Sequence, residues 1–228
     1  TSFILLPVLG WAIFSGDPIL SIALALAAGV GLLEFFAMFW PDKEKLVWKI
    51  GGILFGTGLI WAPLSIGNGA LASLSFFAAA LFFLVTYARG KTDSFWDCQL
   101  LLFGILYLPL MLRLFRPLET TDILFVLLGT FATDTGAFYV GCHFGKRKIW
   151  PAISPKKTWA GSFGGLGLCV LLCAIFGAMY GQHSILAYAL IGAAMNIAAQ
   201  FGDFFESALK RWRNIKDSGK ILPGHGGI

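Results

Sequence analysis

The residues of this 228-residue chain that could do chemistry gather in its second half, and densest at the end. Ser207 to Ile228 reads S-A-L-K-R-W-R-N-I-K-D-S-G-K-I-L-P-G-H-G-G-I, with five Lys or Arg beside a single Asp. Lys210, Arg211, Lys216 and Lys220 can pair with phosphate oxygens, and glycines such as Gly226 and Gly227 let backbone N–H groups approach an anion. The natural ligand of such a stretch is anionic. A second cationic run, Lys146-Arg147-Lys148 followed by Ser154-Pro155-Lys156-Lys157-Thr158, leads into an apolar segment whose helix start would offer further N–H donors. Either run taken alone reads first as a loop that only orients a membrane protein. Charge alone, however, requires neither Asp217 within K-D-S-G nor His225 between glycines.

Among the acidic residues inside apolar runs four stand out: Glu34, Asp134, Asp203 and Glu206. A charge at the centre of a bilayer costs about 2.5–3.5 kcal/mol on insertion scales, so each needs a reason to be there. Internal ion pairing or snorkelling explains Glu34 as well as a functional role does. Asp203 and Glu206 are three apart on one predicted helix and share a face, which Lys210 continues. For that pair and for Asp134, ligation of a metal ion is the favoured reading.

The elements that must position these residues are membrane helices. The chain is 57% hydrophobic and 13% charged, with mean hydropathy +0.79, too apolar for an ordinary soluble domain. Apolar windows fall at 3–15, 18–40, 47–65, 69–88, 96–113, 121–142, 159–181 and 184–207, most near the ~20 residues needed to span a bilayer. An all-α polytopic transmembrane bundle of about eight spans is expected, in two regions: N-terminal helices over 1–118, and a catalytic region over 119–228 with loops at 143–158 and 208–228. Fifteen of the seventeen basic residues lie in the loops after the second, fourth, sixth and eighth windows, leaving Arg113 and Arg116 on the other side. The positive-inside rule therefore puts those loops, and the N-terminus, in the cytoplasm. Trp40, Trp48, Trp96, Trp150, Trp159 and Trp212 all fall at predicted cytoplasmic ends, as an interfacial aromatic belt would. The four cysteines form no C-x-x-C pair and are read as small apolar fillers. The basic balance is explained by topology, so no nucleic-acid partner is expected.

The order of residues from Ser207 resembles the signature of the phosphatidate cytidylyltransferases, S-x-[aliphatic]-K-R-x4-K-D-x-G-x2-[aliphatic]-P-x-H-G-G-[aliphatic], at every fixed position through Ile228. T-D-T-G-A-F around Asp134 and G-D-F-F-E-S around Asp203 are similar to that family's D-[ST]-G-A and G-D-x-x-E-S. The run from Ser154 resembles its S-P-x-K-T-x-x-G, with Ala160 where Glu or Gln is usual. The resemblance covers the chain from about Thr133 onward. The family pattern continues into x-D-R-x-D and a further membrane segment, so a ninth span beyond Ile228 is expected.

The resemblance implies attack by the phosphate of phosphatidic acid on the α-phosphorus of CTP, giving CDP-diacylglycerol and pyrophosphate. Lys210, Arg211, Lys216, Asp217 and His225 are then the catalytic candidates, and Ser154, Lys156, Lys157, Thr158, Ser207, Gly226 and Gly227 the substrate-binding ones. Bringing two phosphate groups together favours Mg²⁺, alone or with a second cation, held by carboxylates and substrate oxygens; Asp134, Asp203, Glu206 and Asp217 are its expected ligands. The site would face the cytoplasm from a bacterial inner membrane, among membrane lipids, in a monomer or a homodimer. Two other classes share parts of this pattern. A CTP-dependent polyprenol or lipid kinase would transfer the γ-phosphate to an alcohol, and an ion-coupled transporter would use the intramembrane acids as carriers. No H-E-x-x-H, G-x-S-x-G or Walker-type G-x4-G-K-[ST] run is present.

Overall fold

The computed structural model describes residues 2–41, 45–91 and 93–216. Through them run α1 (Ser2–Ser15), α2 (Ile19–Phe39), α3 (Leu46–Trp61), α4 (Asn68–Ala88), α5 (Ser94–Tyr107), α6 (Pro109–Arg113), α7 (Thr120–Phe144), α8 (Trp159–Tyr180) and α9 (Ile185–Trp212). Every apolar window is helical, because in lipid each backbone N–H and C=O must be satisfied within its own segment. The chain is thus an all-α, polytopic integral membrane protein.

The eight apolar windows differ in length. Among the described residues six segments are long and apolar enough to cross a bilayer: α2, α4, α5 with α6, α7, α8 and α9. α1 has 14 residues and α3 has 16. The third window ran on to residue 65, but Pro63 lies within it, and the residue before a proline is driven out of the helical region; Ala62 sits at ψ 141°. The fifth window breaks at Leu108, where Pro109 starts α6 at its first turn. The loops expected at 143–158 and 208–228 begin later, since α7 continues to Phe144 and α9 to Trp212. Lys210 and Arg211 extend α9 because cations suit a helix C-terminus and Lys210 pairs with Glu206 one turn back, at 2.7 Å.

The chain divides into two compact units, one holding the helices up to Leu118 and one spanning Glu119–Lys216. In the first, α2 packs on α3 through Leu32 and Phe36, both fully buried, against Gly52 and Gly56. A Cβ at Gly56 would stand 2.8 Å from both Leu32 and Pro109, so glycine is what lets the helices approach. Arg113 is buried and donates to the carbonyls of Leu59, Ala62, Pro63 and Ile66 at 2.9–3.2 Å, and to Asn68 Oδ1. Arg116 donates to Ile60 O at 2.6 Å and Ala62 O at 3.0 Å, and pairs with Asp17 at 2.9 Å. Together they satisfy the carbonyls exposed where α3 ends. Glu34 is buried on α2 in this unit.

In the second unit, α7 lies along α8 and α8 along α9. Gly136, Gly161, Gly164 and Gly165 make the first contact so close that backbone meets backbone. A Cβ on Gly136 would lie 2.6 Å from Gly164 O, and one on Gly161 would lie 2.7 Å from Ala137 O. Cys169 and Cys173 fill the space opposite Gly192 and are fully buried, as small apolar fillers should be. Cys142 departs from that expectation. It is exposed near the end of α7.

Candidate active site

The end of α7, the start of α8 and the last third of α9 meet around a cavity of about 530 Å³, within the size range of small-molecule sites. Asp134 reaches it from α7 and Asp203 from α9, while Lys148, Lys156 and Lys157 come from the loop between α7 and α8. That loop is folded back on itself. Lys148 and Thr158 form an isolated antiparallel bridge, with Ile149 N donating to Lys157 O at 3.2 Å and Trp159 N to Arg147 O at 3.1 Å. Lys148 is thereby brought to one rim with Lys156 and Lys157, eight and nine residues further along. Gly141 and Gly145 make room for this: a Cβ on Gly145 would lie 2.6 Å from the Thr158 hydroxyl.

Lys157 stands at the junction of the site. Its ammonium bonds Asp203 Oδ2 at 2.6 Å and lies 4.7 Å from the centroid of the Phe204 ring. Asp203 is half exposed and the pair opens to the cavity, so the bond is exchangeable with solvent and with other ions. Beneath it, a polar chain ties the three helices together. Asn196, buried, donates to Thr133 Oγ1 at 3.1 Å; Gln200 donates to Asn196 Oδ1 at 2.7 Å and to Ser162 O at 3.1 Å; the Ser162 hydroxyl donates to Gln200 Oε1. Thr133 precedes Asp134, and Gln200 lies one turn before Asp203, so this chain sets the two carboxylates relative to each other.

The structure distributes the other expected site residues unevenly. Thr158 lines the cavity, but its oxygen caps α8 by accepting from Gly161 N at 3.1 Å. With Trp159 N also spent, the start of α8 offers fewer free N–H groups than the sequence suggested, and the lysine side chains supply most of the positive charge. Ser154 sits in the turn of the loop, where its amide donates to Trp150 O at 2.9 Å, and it does not line the cavity. Glu206 turns to Lys210 and not to Asp203's cavity, so the shared face read from the sequence carries two separate ion pairs. Arg211 fastens the end of α9 to the loop through Ile153 O at 3.4 Å. Ser207 is half-buried and Lys216 exposed, both outside the cavity lining. Asp217, His225, Gly226 and Gly227 lie outside the described residues. Sequence reasoning did not single out Ser162, Gln200, Thr133 or Cys142 as site residues, and it named Lys148 only as part of the second cationic run. A polar residue at 200, one helical turn before Asp203 inside an apolar run, was the available signal.

Among the described residues no three His, Cys, Asp or Glu side chains converge as a ready-made metal cage. Two carboxylates on one cavity beside lysines do fit Mg²⁺, which is bound by one or two carboxylates together with substrate phosphates.

Carboxylates and lysines around a cavity in a multispan helical membrane protein suit phosphate groups, the chemistry of membrane enzymes that act on phosphorylated substrates. The chain belongs to the cytidylyltransferase family, whose model matches residues 1–228. It is 32% identical over 219 residues to a phosphatidate cytidylyltransferase of Bacillus subtilis, covering 89% of this chain and 80% of that protein. It is 32% identical over 235 residues to one from Staphylococcus aureus strain COL, covering 99% and 87%. A phosphatidate cytidylyltransferase of Staphylococcus epidermidis is 38% identical over 139 residues, covering 59% and 54%.

Proposed function

We propose that this protein transfers the cytidylyl group of CTP to the phosphate of phosphatidic acid, making CDP-diacylglycerol and pyrophosphate for phospholipid synthesis. The observation that carries this is the meeting of Asp134, Asp203, Lys148, Lys156 and Lys157 on one cavity in a membrane chain of this family. A phosphatidate oxygen attacks the α-phosphorus of CTP; the new P–O bond forms as the bond to the oxygen bridging the α- and β-phosphates breaks, and pyrophosphate leaves with that electron pair. No protein nucleophile is needed, since the lipid phosphate is itself an anion at neutral pH.

Lys148, Lys156 and Lys157 neutralise the approaching phosphates and the charge that develops on the transferring group. Lys157 exchanges Asp203 for a phosphate oxygen when substrate arrives. Asp134 and Asp203 would hold Mg²⁺, which when bound screens the triphosphate and eases departure of pyrophosphate. Glu206 keeps Lys210 directed, while Lys210, Arg211 and Lys216 add positive charge beyond the cavity, with Asp217, His225, Gly226 and Gly227 continuing that surface. The site faces the cytoplasm from a bacterial cytoplasmic membrane, where CTP is available, consistent with the basic loops on that side.

The test uses the full chain in lipid vesicles with phosphatidic acid and CTP carrying label at the α- or the γ-phosphorus. The expected result is α-label in lipid and γ-label in released pyrophosphate. γ-Label in lipid with CDP released would identify a lipid kinase instead.

A further inference from the structure

A second cavity, of about 430 Å³, lies between α8 and α9 and shares the side chains of Ser162 and Gln200 with the charged one. Its remaining lining is almost wholly apolar and includes Trp150, Trp159, Phe163, Leu166, Phe201 and Phe204. Phe204 is buried, with the Trp150 ring against it edge-on at 4.9 Å between centroids. The same Phe204 ring carries the Lys157 ammonium. The apolar groove and the phosphate-binding cavity are therefore back to back: one hydrogen-bonded pair of side chains forms their common wall, and one aromatic ring joins them where the lysine stands.

We infer that this groove seats an acyl chain of the phosphatidic acid substrate, with the lipid phosphate turned to Lys157; the identity of that lipid rests on the reaction proposed above. The reasoning is one of charge complementarity joined to shape. Lipid tails are as apolar as leucine side chains, so an acyl chain gains no hydrophobic energy by leaving the bilayer for a groove. Any lipid could fill it, and selection must come from the headgroup. A cation at the end of an aromatic groove selects a lipid with an exposed phosphate monoester over one whose phosphate is shielded by a choline cation. Tryptophans 150 and 159 suit the same placement, since amphipathic rings settle at the depth where chains meet headgroups. The groove thus acts by alignment. A chain held between α8 and α9 brings its phosphate to the cavity with its position already fixed, the proximity term of catalysis.

The test separates lipid seating from turnover. The full chain in vesicles is labelled, without nucleotide, by phosphatidic acid carrying a photoreactive diazirine on one acyl chain, and in parallel by phosphatidylcholine with the same chain. The expected result is phosphatidate labelling concentrated on Phe163, Leu166, Ile197 and Phe201, well above the phosphatidylcholine control. Equal labelling by both lipids, or labelling spread evenly over all helices, would overturn the proposal by showing ordinary bilayer lipid there. Ile197→Trp fills the groove from an exposed position on α9; it should remove this labelling and raise the KM for phosphatidate about tenfold, a 1.4 kcal/mol effect, without moving the KM for CTP or the melting temperature in detergent. An Ile197→Trp protein with unchanged labelling and unchanged KM for phosphatidate would likewise overturn it. Selective groove labelling in a protein that makes no CDP-diacylglycerol would uphold the lipid seat and reject the assigned reaction.

Discussion

At the scale of the residue, Lys157 is the most informative side chain, because it is bound on one side by a carboxylate and on the other by an aromatic face. Its bond to Asp203 keeps both ions compensated, and in the proposed reaction a phosphate and Mg²⁺ would take the partners' places. Asp203→Asn should abolish Mg²⁺-dependent turnover while leaving the protein folded in detergent; retained Mg²⁺ dependence, read by metal titration of CDP-diacylglycerol synthesis, would remove Asp203 from the metal site. Lys157→Ala should raise the KM for phosphatidate by about tenfold or more, given that hydrogen bonds to charged groups are worth about 1.5–3 kcal/mol. Asp134, Asp203 and Lys157 were legible in the sequence because charges in or beside apolar runs are costly and so demand a purpose. Lys148 was named only within a cationic run, and Gln200 was not singled out. Lys148 reaches the cavity only through its bridge with Thr158, and Gln200 acts through a polar chain crossing three helices.

At the scale of the element, two devices fix the helices. Between α7 and α8 it is glycine. A methyl at position 136 would press on the backbone of Gly164 and Gly165, at 2.6 Å and 3.0 Å, where no side chain can swing aside. Gly136→Ala should therefore cost about 1–3 kcal/mol, the usual range for overpacking, seen as a lower melting temperature in detergent, and it should lower turnover by moving Asp134. At the end of α3 the device is Arg113 with Arg116, the two basic residues that the charge count left on the opposite side. The count could not show that both are committed to backbone carbonyls. Arg116 also holds Asp17. The Ser21 hydroxyl first, and then Arg116, keep the Asp17 carboxyl below the usual carboxylate range. A depressed folded value means stability that is present above the unfolded value, about 3.9, and is lost as pH falls through the folded one. Because Asp17 is nearly half exposed, the contribution is small. Asp17→Asn should lower the melting temperature slightly at pH 7 and at pH 5, and the gap should close in more acid solution. A gap that widened with acid would contradict the pairing.

At the scale of the whole molecule, the proposal that the cavity opens to the cytoplasm rests on the distribution of charge. In a Cys142→Ser background, which removes the exposed native thiol, Lys146→Cys should resist an impermeant thiol reagent applied to intact cells and Ser65→Cys should react. The reverse pattern would put the cavity on the side that lacks CTP. All-helical architecture followed from composition alone, since a chain this apolar has few other ways to bury its backbone. The number of full-length spans did not, because hydropathy windows run through prolines such as Pro63 and Pro109 where the helices break. The folded-back loop between α7 and α8 has one more consequence. Its backbone is tied by hydrogen bonds in the ligand-free protein, so this loop serves as a rim and not as a closing lid. Pyrophosphate then leaves past this rim by escaping the field of the lysines, and a field of that kind weakens as the ions in solution screen it. Moderate salt should then speed release of the product even as it slows capture of the nucleotide, setting the enzyme's pace by the ionic strength of its compartment.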